Sequence, residues 1–203
     1  MEIERTGART GARALARQAM KAQVSAMAFD LCVERGYEST TVEEICAVAG
    51  ISRSTFFRYF ASKEDALLGD VADSGEHLLV ALRARPDDEQ VWDALRHALG
   101  SLIDRYAADP ERSRQLARLV RGAPALAAAH HEKNARWHVL LRPELARRLG
   151  SDPSDELDPR PSALIAAALG CVDAALASWA ASDADTRTPL EDILHRAMTA
   201  ITT

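Results

Sequence analysis

Val24, Ala28, Leu31 and Cys32 recur at the spacing of one helix face. The pattern predicts a first helix over about 13–35 with that stripe turned inward. Gly36 supplies the left-handed residue that ends it. Thr40 and Thr41 each open a second helix with a glutamate three positions on, Glu43 or Glu44, the reciprocal pattern of a capping box. That helix is short and ends at Ala49; Gly50 permits a sharp reversal and Ser52 caps a third helix over about 53–59. Ser62-Lys63-Glu64-Asp65 caps a fourth, running to about residue 83, and Arg85-Pro86-Asp87-Asp88 breaks the pattern. Further helices are expected at about 89–107, 110–121, 124–149, 162–182 and 189–201. Asp109-Pro110 and Thr188-Pro189 join a cap to a first-turn proline, and Thr188 with Glu191 repeats the capping box. Pro143 is expected to kink or split the 124–149 helix. The acidic, proline-rich stretch 150–161 is a loop whose carboxylates lack calcium-loop spacing. Strand alternation and hairpin signals are missing. The chain therefore reads as all-α, with about nine helices.

Composition sharpens this. The 203 residues are 47% apolar but only 5% aromatic, so the core is built mainly from Ala, Leu, Val and Ile, a mixture whose Ala and Leu favour helix. Net charge is -5, yet it is unevenly spread. Residues 1–63 carry nine Lys/Arg against seven Asp/Glu, and residues 64–203 carry sixteen against twenty-three. The first third alone can approach a polyanion without strong repulsion. Arg5, Arg9, Arg13, Arg17 and Lys21 fall four apart within it, as a drifting stripe on a helix or a flexible cationic arm. They are either a solvated face or a DNA-backbone contact. Cys32, Cys46 and Cys171 are widely spaced without a CxxC pair, which fits inert core thiols in a reducing compartment rather than a disulfide or zinc framework. The N-terminus shows no apolar signal region. Residues 163–182 have the length of a membrane span, but Asp173 and a wealth of Ala, Gly and Ser favour a buried helix packed on a partner.

The chemistry concentrates in residues 36–67. With Val42 as the first position of a helix-turn-helix, Ile45, Ala49, Ile51 and Phe56 fall at the buried positions that fix the angle between the helices. Cys46 lies where the helices cross and a small side chain is needed, and Gly50 lies at the turn. The residues left outward on the third helix are Arg53, Ser54, Thr55 and Arg58. Arginine can donate two hydrogen bonds to guanine, and Ser or Thr can meet a base edge or a phosphate. Ser52 sits at a helix N-terminus, which favours a phosphate oxygen, and Lys63 can clamp a neighbouring phosphate. Phe56 and Phe60 are expected in the core; Phe57 and Tyr59 cannot both join them on so short a helix.

Ala28, Leu31, Gly36, Tyr37, Thr40, Thr41, Ile45, Ala49, Gly50, Ile51, Ser52, Thr55, Phe56, Arg58, Tyr59, Phe60, Lys63 and Glu64 together resemble the TetR family of one-component transcriptional repressors, over roughly residues 14–68. The resemblance implies base-facing positions at Arg53, Ser54 and Thr55, and phosphate-contacting positions at Thr40, Thr41, Ser52, Phe57, Tyr59 and Lys63. Phe57 departs from the customary Tyr and lacks its hydroxyl. Ser54 stands where Gly, Ala or Pro is common, and Cys32 replaces a customary Phe. The TFFRYF-SKED wording looks like a subgroup with acyl-CoA-like ligands. The implied organisation is a DNA-binding domain over 1–66 and an effector-binding and dimerisation domain over 67–203.

In that second domain Ala166, Ala167, Gly170, Ala174, Ala177 and Ser178 permit close helix approach. With Leu190, Ile193, Leu194, Met198 and Ile201 they offer a homodimer interface across 162–201, or burial within one chain. Trp92, His97, Arg105, Tyr106, Arg118, Trp137 and Trp179 are candidate effector-pocket residues because they are bulky or polar within apolar helices. His130, His131 and His138 lack metal-ligand spacing. Catalytic and nucleotide motifs are also missing. The sequence thus points to a cytoplasmic, ligand-responsive DNA-binding repressor, with no cofactor, metal or membrane. Its partners would be a double-stranded operator, a small apolar or acyl-CoA-like effector and a second copy of the chain. An all-helical enzyme with an incidental helix-turn-helix, or an adaptor, is the alternative.

Overall fold

A computed structural model describes residues 2–72, 74–182 and 188–202, and the side chains of 15–69, 74–182 and 188–202. Among the described residues the regular structure is entirely helical: α1 Glu2–Arg35, α2 Val42–Ala49, α3 Arg53–Tyr59, α4 Lys63–Ala72, α5 Ser74–Arg83, α6 Val91–Ala108, α7 Pro110–Gly122, α8 Pro124–Arg148, α9 Arg160–Ala181 and α10 Leu190–Thr202. The chain divides into two compact units, residues 1–72 and 73–203. The helix expected over 62–83 is described as α4 and α5 on either side of Asp73, which lies outside the described residues.

In the first unit α1 packs on α2 and α4, and α2 packs on α3. The predicted stripe is the core face of α1: Val24, Ala28, Leu31 and Cys32 are all buried, beside Phe29. The α1 backbone is helical from Glu2, earlier than the apolar stripe indicated. The side chains of Arg5, Arg9 and Arg13 lie outside the described residues. Gly36 and Gly50 adopt positive φ, 88° and 64°, where a side chain would clash with the following carbonyl. Ser62 caps α4 by accepting from the Asp65 N–H at 3.2 Å, and Asp65 accepts in return from Ala61 N–H at 2.9 Å.

The second unit is organised around α9, which packs against α10, α8, α7 and α6, while α5 fills the space beside α6 and α8. Ile165, Ala168, Leu169, Val172, Ala175, Leu176 and Trp179 form its buried face. Ala163, Ala166, Gly170, Ala174 and Ser178 are left on the outside. The helix has the length and mean hydropathy of a membrane span (1.7), but half of that window is buried inside the protein. α8 continues through Pro143 as one element, so of the expected kink or split the split does not occur. The carbonyl that loses its donor belongs to Val139, a 74% exposed residue with solvent close by.

The far end of α8 is pinned by polar groups. The Arg148 side chain is 1% exposed and donates to the Leu82, Arg85 and Pro86 carbonyls at 2.7, 2.7 and 2.9 Å. It also meets Glu144 at 3.2 Å, where Arg147 approaches to 2.7 Å. The hydrogen bonds from Arg147 chiefly, against the opposing effect of burial, hold the Glu144 carboxyl below its ordinary range.

Candidate nucleic-acid interface

α2 is started by Thr41, whose Oγ1 accepts from Glu44 N–H at 3.2 Å while Glu44 Oε2 accepts from Thr41 N–H at 2.9 Å. Of the two capping boxes offered by the sequence, the structure uses this one. The Thr41 bonds, backbone first, hold the Glu44 carboxyl below its ordinary range. At Gly50 the chain reverses, and Ser52 caps α3 by accepting from Thr55 N–H at 3.1 Å. Its hydroxyl also lies 2.9 Å from Ser54 Oγ and 3.0 Å from Thr55 Oγ1. Three hydroxyls thus gather where α3 presents unpaired N–H groups, a setting that suits a phosphate oxygen.

Phe56 anchors α3. It is fully buried with Ile45, and its ring packs edge-on against Phe57 at 5.4 Å and tilted against Phe60 at 5.2 Å. Cys46 is buried at the helix crossing, while Ala49 and Ile51 are only half-buried. With Phe56 turned inward, Arg53, Ser54, Phe57 and Arg58 face outward; Thr55 and Tyr59 are half-buried. Phe57 is 48% exposed. Arg53 lies 2.7 Å from Glu43 of α2 and above the Phe57 ring. Tyr59 is flanked by the guanidinium groups of Arg17 and Arg58, at 5.5 and 5.1 Å from its ring centre, and Lys21 lies over Phe60. The outward face of α3 therefore carries a pairable arginine, hydroxyls and a cluster of cations, the groups that meet base edges and phosphates.

Two residues expected at the DNA backbone have other work. Thr40 is 1% exposed; its hydroxyl donates to the Gly36 carbonyl at 2.9 Å and lies 3.4 Å from that of Leu31. It closes the α1–α2 turn, and its hydroxyl is engaged within the protein. Lys63 Nζ donates to the Tyr37 and Thr40 carbonyls, both at 2.8 Å, and lies 3.8 Å from the Tyr37 ring centre. Two of its three N–H groups are thereby committed. The Tyr37 hydroxyl donates to Glu64. Burial and this bond push the Tyr37 phenol well above its ordinary range. Burial alone would raise Glu64, but the Tyr37 and Ser62 hydrogen bonds outweigh it and keep the carboxyl low.

The candidate effector residues stand in different settings. Trp92 is half-buried and Arg105 exposed. His97 is an exposed partner of Glu89, 2.7 Å away, and lines a cleft of about 310 Å³ between α6 and α10. Arg118 donates to the Ala180 carbonyl at 3.0 Å and so caps the end of α9. Trp179 is buried under Arg114. Tyr106 and Trp137 flank a polar cluster that the sequence did not reveal: His130, Lys133 and Asn134 of α8 with Asp173 of α9. The signal for it was a lone carboxylate inside an apolar helix, which requires a partner.

Residues 26–68 match the bacterial regulatory proteins of the tetR family, and residues 89–203 match the MftR C-terminal domain. The chain is 32% identical over 139 residues to the HTH-type transcriptional regulator TcmR of Streptomyces glaucescens, covering 66% of this chain and 62% of TcmR. It is 31% identical over 132 residues to MftR of Mycobacterium tuberculosis, named as a mycofactocin biosynthesis transcriptional regulator, covering 65% of this chain and 67% of MftR. The chain thus spans less than two thirds of TcmR. Thermus thermophilus FadR, a TetR-family repressor solved with lauroyl-CoA, shares the fold over 90% of this chain and 93% of its own, at TM-score 0.57 and 22% identity. A braced helix-turn-helix with a basic outward face, the two matched domains and the two regulator relatives agree: the chain belongs to the TetR family of DNA-binding transcriptional regulators.

Proposed function

We propose that the chain is a dimeric repressor that reads a pseudo-palindromic operator and is released from it by a small molecule. The observation that carries this reading is the outward set Arg53, Ser54 and Arg58 on a helix held rigidly by Phe56 and Ile45. Arg53 and Ser54, with half-buried Thr55, read base edges. Thr41, Ser52, Arg58, Tyr59, Arg17 and Lys21 engage the backbone, with Phe57 as an apolar contact and the last N–H of Lys63 as a minor one. One seven-residue helix spans too few base pairs for useful specificity, so two copies are required. The small outer face of α9, with α10, is where they pair, through residues 162–201. The effector enters the second unit, is apolar or acyl-CoA-like, and prefers the state that does not fit the operator. Three buried free thiols are consistent with work in the cytoplasm.

Fluorescence anisotropy with the chain's own upstream DNA tests the reading. Affinity should fall steeply as salt rises, and Arg53→Ala should cost about 1–3 kcal/mol at one position of each half-site. Unchanged preference at every base would remove Arg53 from the reading set. Salt-insensitive binding, or none, would favour the adaptor or enzyme alternative.

A further inference from the structure

His130, Lys133, Asn134 and Trp137 fall three and four positions apart on α8 and share one face of it. Asp173 of α9 meets that face. Its Oδ1 lies 2.9 Å from His130 Nε2 and its Oδ2 accepts from Asn134 Nδ2 at 3.1 Å. With Nε2 donating to the carboxylate, Nδ1 of His130 is the acceptor, and Lys133 Nζ lies 3.4 Å from it. The chain of bonds is closed at Asp173 and open at Lys133.

The open end is deeply buried. Lys133 is 3% exposed, yet among the described residues the imidazole at that long distance is its one hydrogen-bonding neighbour. The Trp137 ring, 4.6 Å from the ammonium, supplies an aromatic face but no acceptor. Asp173 makes no ion pair with it: both of its oxygens are engaged elsewhere. Trp137 Nε1, on the ring edge that packs against Gly75, is also buried without a partner among the described residues. Buried polar groups in native proteins are normally satisfied, and a site of purely structural purpose would be better filled by an apolar side chain. The arrangement therefore lacks an acceptor. Burial draws the Lys133 ammonium down to about 7 against a weaker opposing pull from Asp173, and the same low dielectric strengthens its attraction for any anion that reaches it.

The polar rim of the cluster reaches the surface. Asp173 keeps 36% of its side chain exposed, and Asn134 and Tyr106 are half-buried. Burial first, and Asp173 second, push the Tyr106 phenol up to about 12, so it stays a neutral donor at this rim. Trp137 itself packs closely on α5, where a Cβ on Gly75 would come within 2.6 Å of its ring.

We propose that Lys133 is the recognition group for an apolar organic anion, a carboxylate or sulfonate whose oxygen accepts the buried ammonium protons. This rests on the reading that the second unit receives a small-molecule effector, and it gives that effector a charge and a point of attachment.

The test uses the full chain, free of DNA, and two matched pairs of probes: decanoate against 1-decanol, and 2-naphthoate against 2-naphthylmethanol. Binding is followed by tryptophan fluorescence and titration calorimetry. At least one acid should bind about tenfold or more tightly than its alcohol, the scale of one charge-assisted hydrogen bond. Lys133→Met should erase that preference and raise Tm by a few degrees, because it removes a buried cation. Lys133→Arg should keep the preference. Equal binding of acid and alcohol, or of neither, by the wild-type chain overturns the proposal without any variant. So does a preference that survives Lys133→Met, or a Lys133→Met chain that is less stable than wild type. Operator binding is measured separately. Its failure would remove the repressor reading and leave the acid–alcohol comparison to decide on Lys133 alone.

Discussion

Two lysines separate the two units. Lys63 lies against Tyr37 in the DNA-reading unit, and Lys133 lies against Trp137 in the C-terminal one. The first has two carbonyl acceptors at 2.8 Å; the second has an imidazole nitrogen at 3.4 Å. Around Lys63 the polar groups close on one another: Thr40 on Gly36, Tyr37 on Glu64, Thr41 on Glu44. Around Lys133 they stop short, and two buried donors in the same unit, on Arg114 and Trp137, lack partners among the described residues. The reading head is finished before it meets DNA, as a pre-organised recognition surface should be. In the second unit Lys133 has one long contact, while every side-chain nitrogen of Arg148 has an acceptor.

The contrast can be broken or sharpened by substitution. The largest effect should come from Arg148→Ala, which strands the Leu82, Arg85 and Pro86 carbonyls and removes one of the three arginines that meet Glu144. Breaking so buried a pair costs about 3–5 kcal/mol, read by urea unfolding; a loss below about 1 kcal/mol would mean that α8 is held otherwise. Lys63→Met should destabilise by about 1–3 kcal/mol, since two carbonyls lose their donor, and should weaken binding to all DNA sequences alike. A neutral or stabilising result would erase the difference between the two lysines.

A pH series bears on the other lysine. Its folded-state value, about 7, lies below the ordinary lysine value of about 10.4. Above that upper value both states are neutral and the side chain costs nothing. As pH falls between the two values the unfolded chain takes up the proton first, so stability declines. The Tm advantage of Lys133→Met over wild type should therefore shrink as pH rises from about 7 towards 10. A constant gap would show that the ammonium is not the source. The smallest change is expected from Glu43→Gln. The exposed Arg53 pair contributes at most about 0.2–1 kcal/mol, so folding should hardly move, while release of Arg53 should tighten operator binding. Weaker binding would show that Glu43 aims the arginine rather than restraining it.

What the sequence revealed follows the range of the forces involved. Caps and turns are decided within four residues, so Ser52, Gly50 and the Asp109-Pro110 start of α7 were readable directly. The apolar stripe of α1 and the inward Phe56 and Phe60 were readable from periodicity. Thr40 and Thr41 show the limit: both carry a correctly spaced glutamate, and the choice is made by the Gly36 and Leu31 carbonyls that hold Thr40. The role of Lys63 was hidden because its acceptors lie 26 and 23 residues away. Asp173 was visible as an anomaly, but its partner His130 is 43 residues distant and comes beside it only when α8 packs on α9. Of the seven pocket candidates chosen as bulky or polar, Arg118 caps a helix, and Tyr106 and Trp137 stand beside the cluster that those criteria alone could not identify.

The outer face of α9 holds nothing longer than the hydroxymethyl of Ser178 between Ala163 and the end of the helix. Two such faces can meet almost backbone to backbone, near the short end of the roughly 8–10 Å range for packed helices. Contact of that kind has no long side chains to compress or re-pose, so in the proposed dimer the distance between the two chains would be a hard stop. The spacer between operator half-sites would then be measured out by methyl groups and a glycine, in the unit that does not carry the helix-turn-helix.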